Sequence, residues 1–157
     1  YRFDPTEQTV GDELVLKWRD GGNRPPAKGS HLDNDKQVPS QGVMFIGEEG
    51  TLVCPHGGMP NLYPLDKFKD FRRPRIDRLD HYQVWLDAFR TGDAPNSSFA
   101  YAGPLTETVL LGVVAARVGA KGELKWNSDK LKFDNSDKAN GFIREKYRKG
   151  WEVEGLG

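Results

Sequence analysis

The 157-residue sequence has a single cysteine, Cys54. One cysteine excludes an internal disulfide framework and a zinc site made of cysteines alone. No run of about 18 apolar residues is present, which predicts that no helix crosses a membrane. Basic and acidic side chains are balanced at 23 each, so the net charge is zero. This balance argues against a dedicated nucleic-acid-binding protein.

The signatures of nucleotide binding are also missing. The usual NAD and ATP sites need a glycine-rich turn between a strand and a helix, and no G-x-G-x-x-G or G-x-x-x-x-G-K-[ST] pattern is present. The G-x-S-x-G turn of hydrolases is missing too, and Cys54 and His56 lack the paired spacing of a metal site. The sequence therefore predicts no catalytic residue, no cofactor-binding residue and no metal ligand in this chain.

The length of the chain fits one domain, residues 1–157. Its 18 glycines and 10 prolines predict many turns and short elements. The sequence begins with Tyr1 instead of Met, which predicts that the natural N-terminus lies further upstream. No signal peptide is visible, so a cytoplasmic and a periplasmic location both remain open.

Alternating apolar residues predict several strands. Residues 10–19 form one candidate strand. Residues 43–46 and 51–54, joined by a turn that ends in glycine, predict a hairpin. Residues 61–63 predict a further short strand, and residues 124–133 predict a second hairpin.

Three helices are expected after the first strands. Asp80 with Gln83 resembles a capping box, and Gly92 ends that helix. A second helix is predicted to begin at Gly103-Pro104 and to be buried, since residues 109–116 are apolar almost all round. Residues 137–148 predict a third. Hairpins together with grouped helices indicate an α+β fold, with a mostly antiparallel β-sheet and helices packed on one face.

Aromatic and basic residues offer two further hypotheses. The four tryptophans could stack on sugars, but their positions in the predicted elements favour core packing (Trp18, Trp85, Trp126 and Trp151). A basic stretch at 67–78 with interspersed phenylalanines could bind nucleic acid. Because Asp66, Asp70 and Asp77 dilute its charge, a solvated linker is the favoured interpretation.

Four segments resemble one known family when they are read in order. Residues 17–26 match the strand and loop W-x-D-G-G-x-x-P-P. The others are residues 42–52, residues 99–112 with Tyr-Ala-Gly-Pro-Leu-Thr-Glu and Leu-Leu-Gly, and Ala139-Asn140 followed by residues 147–151. Together they resemble the C-terminal domain of the Gfo/Idh/MocA oxidoreductases, in a subgroup of predicted dehydrogenases, over nearly the whole chain.

The resemblance implies a part of a longer enzyme. Full members have an N-terminal Rossmann domain for NAD(P), followed by a sheet domain that shapes the substrate site and often the oligomer interface. Their substrates are sugars, polyols and derivatives. The family's catalytic lysine and its D-x-x-x-H motif would both precede Tyr1. Asp77 and His81 match that spacing but stand too late in the order, so no catalytic role is transferred to them. This chain alone is expected to be inactive, with its own Rossmann domain and a second copy as partners.

Four residues are candidates for binding a substrate. Asp20, Asn23 and Arg24 lie in the loop after the first strand and carry groups that hydrogen-bond hydroxyls or a carboxylate. The alternative is a turn whose acid caps local amides. His81 is the fourth candidate, and its alternative is a histidine at the core edge beside Trp85.

Two other classes of protein remain open. A free-standing carbohydrate- or protein-binding module would never have had a nucleotide domain. A glycoside hydrolase would use carboxylates on the sheet. Neither reading adds a membrane or a nucleic acid as a partner.

Overall fold

The computed structural model describes residues 1–76 and 78–155. Its contacts divide the chain into two compact units, Tyr1–Ile76 and Asp77–Gly157. The fold is α+β, as predicted, and the strand pairs of the described residues are antiparallel. The strands form three small sheets of two, three and two strands. The expectation of one domain over residues 1–157 stays a prediction.

The first unit contains five strands. Strand β1 (Arg2–Phe3) pairs with β2 (Leu14–Val15). The other sheet has the order β3 (Gly42–Ile46), β4 (Thr51–Pro55) and β5 (Asn61–Tyr63). The predicted hairpin and the predicted strand at 61–63 are therefore confirmed. Gly42 has a φ of +148°, and a Cβ there would overlap the Cys54 carbonyl oxygen, so this position requires glycine.

Strand β2 is much shorter than the predicted strand at 10–19. Its partner β1 supplies two residues, which pair as Arg2 with Val15 and Phe3 with Leu14. One further backbone bond joins the Leu16 amide to the Tyr1 carbonyl at 3.1 Å. A strand extends only where a neighbouring strand satisfies its backbone groups, so the alternation of residues 10–19 overestimates its length.

The core of the first unit draws on a segment without periodicity. Ala27, Leu32 and Val38 are buried together with Val53 of β4. The first three lie in the long loop after β2, which contains only a short 3-10 turn, Asp35–Gln37. Met44 and Tyr63 pack against this cluster from the sheet. An irregular backbone has no repeat, so no periodic pattern of apolar residues marks these core positions.

A buried hydroxyl fastens this loop to the sheet. Thr51 has no exposed surface. Its Oγ1 accepts the backbone N–H of His31 at 3.2 Å and lies 3.2 Å from His31 Nδ1, while His31 Nε2 lies 3.2 Å from the Glu48 carbonyl oxygen. Three contacts of His31 therefore tie the loop to β4 and to the β3–β4 turn.

The second unit begins with helix α1 (His81–Thr91). Asp80 caps it by accepting the backbone N–H groups of Tyr82 and Gln83, and Gly92 ends it with a φ of +81°. Both ends were predicted. The Gln83 side chain donates to Asp87 at 2.7 Å instead of returning to Asp80, so only half of the expected capping box forms.

Helix α2 (Phe99–Val118) begins earlier than predicted. Pro104, expected at the first helical position, lies inside the helix. Proline has no N–H, so this position forfeits one intrahelical hydrogen bond. The residues before it continue the helix backward to Ser98, whose carbonyl accepts the Ala102 amide at 2.8 Å.

A hairpin and a short helix complete the second unit. Strands β6 (Trp126–Asn127) and β7 (Lys132–Phe133) confirm the second predicted hairpin. Helix α3 spans Asp137–Asn140 instead of 137–148. The Asn140 side chain pairs with the backbone of Phe133, accepting its N–H at 2.6 Å and donating to its carbonyl at 2.8 Å. The Asn140 amide therefore makes the two hydrogen bonds with β7 that the backbone of a neighbouring strand would make.

The core of the second unit joins α2 to the hairpin. Val114, Phe133 and Ala139 are buried, with Leu111 and Val118 of α2 packed against them. The Trp126 ring meets Phe133 edge-on at 5.0 Å. Its Nε1–H donates to the Glu107 carboxylate at 2.6 Å, so the acid in the middle of α2 is satisfied by the hairpin.

Much of the apolar surface expected inside is exposed. Trp18, Trp85 and Trp151 are 60%, 61% and 66% exposed, so core packing was wrong for these three, whereas Trp126 is half-buried. Within α2, the burial predicted for residues 109–116 holds for Val114, while Val109, Leu110 and Val113 are exposed. Helix α1 packs against no other helix or strand among the described residues.

The length and composition of α2 also differ from expectation. In the described part of the chain, this 20-residue helix is long and apolar enough to cross a membrane by those two criteria alone. That no helix of this chain crosses a membrane stays a prediction. The criteria are weak evidence for a membrane span, because helices that pack against protein meet them too.

The hydrogen bonds of the Thr51 hydroxyl predict that removing this group lowers the stability of the fold. Thr51→Val keeps the shape but leaves the His31 amide and ring nitrogen without a partner, which we expect to cost about 1–3 kcal/mol in free energy of unfolding. Urea unfolding measures the change. Thr51→Ser, which keeps the hydroxyl, should lose less. An unchanged midpoint for Thr51→Val would contradict the role of this hydroxyl.

The Asn140 amide predicts a graded series. Asn140→Asp keeps the acceptor for the Phe133 N–H but loses the donor to its carbonyl, and Asn140→Ala loses both. Because the Phe133 backbone lies in a buried site, we expect a cost of about 1–3 kcal/mol for each group left unpaired. Denaturant midpoints should fall in the order wild type, Asp, Ala. Equal midpoints for all three would refute the strand-like pairing.

Candidate functional site

An open cleft of about 460 Å³ lies in the first unit. Ligand pockets in proteins span roughly 300–1,000 Å³, so its size suits a small molecule. The lining combines apolar, aromatic, amide and basic side chains (Tyr1, Arg2, Val15, Leu16, Lys17, Trp18, Arg19 and Asn23).

The pairing of β1 with β2 forms one wall of the cleft. The Tyr1 backbone nitrogen donates to the Leu16 carbonyl at 2.8 Å, and the Leu16 amide donates to the Tyr1 carbonyl at 3.1 Å. The Arg2 guanidinium forms an ion pair with Glu13 on the exposed side of this ladder. These contacts hold the segment after β2, which carries the polar lining, beside the N-terminal residues.

A glycine turn positions Asn23. Gly21 and Gly22 have φ values of +64° and +79°, a left-handed conformation that glycine adopts at little cost. The Asp20 carboxylate accepts the Gly21 N–H at 2.6 Å, and the Asn23 N–H donates to the Asp20 carbonyl at 3.2 Å. The turn directs the chain back so that Asn23 lines the cleft.

The four predicted substrate residues lie in two units, three in the turn after β2 and one in α1. Asn23 lines the cleft, whereas Asp20 holds the turn and Arg24 is exposed outside the lining. His81 lies in the second unit, as the exposed first residue of α1. Asp77, which shares the D-x-x-x-H spacing with His81, lies outside the described residues.

Seven of the eight lining residues were missed by the sequence interpretation. Trp18 was assigned to the core, but its ring is 60% exposed and lines the cleft between Lys17 and Arg19. The signal was present in the order Lys-Trp-Arg immediately before a glycine turn. The assumption of a long alternating strand concealed it, because that strand would have turned Trp18 inward.

The cleft is positively charged although the chain is neutral. Arg2, Lys17 and Arg19 line it, and no acidic residue is among the lining side chains. Arg2 is paired with Glu13. In the described part of the chain, no carboxylate forms an ion pair with Lys17 or Arg19. An excess of positive charge therefore remains beside an exposed indole.

A stabilising ion pair lies at the β3–β4 turn, outside the cleft lining. Lys67 Nζ lies 2.9 Å from both the backbone carbonyl and the Oε2 of Glu49. The hydrogen bond from Lys67, with its charge, holds the pKa of Glu49 below its usual range. Because the folded pKa is lowered, this contribution to stability is present above the unfolded-state pKa and is lost as the pH falls through the folded value.

A second groove, of about 230 Å³, lies in the second unit beside α1. It is lined by Trp85, Ala88, Phe89, Asp93 and Pro95. Among residues 1–76 and 78–155, no three His, Cys, Asp or Glu side chains come together as metal ligands.

No protein-family model, curated protein or solved structure matches this chain. The likeness to an oxidoreductase family therefore rests on the four ordered sequence segments.

Proposed function

We propose that this chain is the substrate-binding and oligomerisation domain of an NAD(P)-dependent oxidoreductase that acts on a sugar, a polyol or a derivative. The nucleotide would bind to a separate Rossmann domain, so this chain by itself is inactive. The ordered motifs, which resemble the C-terminal domain of the Gfo/Idh/MocA oxidoreductases, support this enzyme class. The cleft beside Trp18 is the candidate site.

One observation carries the proposal: Trp18 and Asn23 line the same cleft. An exposed aromatic ring offers an apolar face on which the C–H groups of a sugar can pack. The Asn23 amide offers two donors and an acceptor for hydroxyl groups. An apolar face with a few convergent polar groups is typical of small-molecule sites.

The outward face of β3 supports self-association through the sheet. Met44 packs against the core, whereas its neighbours Val43 and Phe45 point away and are 43% and 59% exposed. Strand β3 is also at the edge of its sheet. An exposed apolar edge strand is prone to pairing with another chain, and a second copy would cover it.

The total exposed surface supports further partners. The chain exposes 13797 Å², whereas two separate compact domains of half its length would together expose roughly 9,600 Å². Helix α1 has 11 residues and packs on no other named element of the described chain. Helices this short are marginal in water without tertiary packing. A neighbouring Rossmann domain would supply the missing contacts.

A sugar titration tests the proposed site. We expect D-glucose or myo-inositol to change the tryptophan fluorescence of the chain, and Trp18→Ala to abolish binding because the stacking face is removed. Trp85→Ala, which removes an equally exposed indole in the second unit, is the matched control. NAD(H) should not bind.

Micromolar binding of NAD(H) by this chain would contradict the proposal that a separate Rossmann domain binds the nucleotide. Binding that survives Trp18→Ala would place the site elsewhere. The reading frame upstream of Tyr1 separates an enzyme from a free-standing binding module, since the enzyme requires a G-x-G-x-x-G strand–helix pattern there and a stop codon would exclude it.

Light scattering tests self-association through the sheet. We expect the wild-type chain to be a dimer or larger and Phe45→Lys to shift it toward the monomer, because a charge on the outward face of β3 opposes pairing. Phe71→Lys, at a similarly exposed phenylalanine outside the strands, should leave the mass unchanged. A wild-type monomer at high concentration would refute this interface.

A further inference from the structure

We propose that the Trp18 cleft selects sugars that carry an anionic group, a carboxylate or a phosphate, over neutral sugars. This inference rests on the proposed function and narrows it from sugars in general to acidic sugar derivatives. An exposed indole, an amide and two cations carry it, and neither cation has an ion-pair partner among residues 1–76 and 78–155.

The charge of the cleft is local. The chain carries equal numbers of acidic and basic side chains, yet the lining holds three basic residues and no acidic one. Glu13 offsets Arg2 from outside the lining. The nearest acid in sequence to Arg19 is Asp20, which accepts the Gly21 N–H at 2.6 Å and does not line the cleft. Lys17 and Arg19 therefore line the cleft with no acidic residue in the lining to offset their charge.

The two cations flank the stacking residue. Lys17 and Arg19 are neighbours of Trp18 on either side, so their Cα atoms lie at most about 7 Å apart. A pyranose ring packed on the indole would place its exocyclic group within reach of either side chain. The guanidinium of Arg19 offers a planar set of donors that fits a carboxylate or a phosphate, and Lys17 adds a flexible point charge.

The neutral part of the ligand has its own partner. Asn23 supplies uncharged donors and an acceptor, which suit hydroxyl groups. A simple inorganic anion would leave the indole and the amide unused. A neutral sugar would leave Lys17 and Arg19 unused. A sugar with one anionic substituent uses all four residues.

Titrations at low salt with three probes test the inference: D-glucuronate, D-glucose 6-phosphate and D-glucose. We expect at least one anionic sugar to bind about tenfold more tightly than glucose, since one charge-assisted hydrogen bond adds about this much. The advantage should shrink as salt is raised. The comparison of glucuronate with the phosphate identifies which anion the cleft prefers.

Arg19→Gln and Lys17→Gln should reduce the ratio of anionic-sugar affinity to glucose affinity, both measured in the same variant, toward one, while Arg19→Lys should keep part of that ratio. Lys69→Gln is the matched control, because Lys69 is an exposed cation of the same unit that does not line the cleft. Thermal unfolding confirms that each variant is folded.

Equal affinity for glucose and both anionic sugars would overturn the inference and leave the proposed function standing. An equal loss in Lys69→Gln would also overturn it, because the effect would then be general charge. Failure of all three sugars to bind would overturn the proposed function, and the inference with it.

Discussion

Hydrogen bonds from side chains to distant backbone groups hold this structure together, because each unit buries so few apolar residues. Among the described residues, the first unit buries four hydrophobic side chains in its core, and the second buries three. Cores of this size leave irregular segments weakly fixed. Thr51 fastens the long loop to the sheet through His31, and Asn140 fastens α3 to β7 through both backbone groups of Phe133. Each clamp replaces a strand or helix contact that the short elements do not provide.

The parts of the fold that sequence predicts well are those fixed by neighbouring residues. The β3–β4 hairpin and both ends of α1 follow from local turn and cap chemistry, at Gly50, Asp80 and Gly92. The failures depend on distant partners. Helix α3 ends at Asn140, whose side-chain amide hydrogen-bonds the backbone of Phe133. Strand β2 stops where β1 stops. Neither partner can be read from the local pattern.

In the candidate site too, one residue was predicted from the local sequence and another was missed because it depends on a distant partner. Asn23 was predicted, with Asp20 and Arg24, because the loop after the first strand carries side chains that hydrogen-bond hydroxyls or a carboxylate. Trp18 was missed because alternation assigned it to an inward face, and that face exists only if the strand continues to residue 19. Once β2 ends at Val15, the indole is free to line the cleft with Lys17 and Arg19. The length of one strand therefore decides whether this tryptophan belongs to a core or to a site.

The same short ladder links the cleft to the exposed surfaces. Two strands of two residues each are marginal on their own in water, so the β1–β2 wall gains little rigidity from its own pairing. A ligand that binds this wall must offset the entropy of ordering it. A partner that covers the chain's exposed apolar surface and orders the wall first removes that cost, which raises the affinity for the ligand without adding a contact to it. Under the proposed function, binding at the cleft and association with such a partner would be thermodynamically coupled.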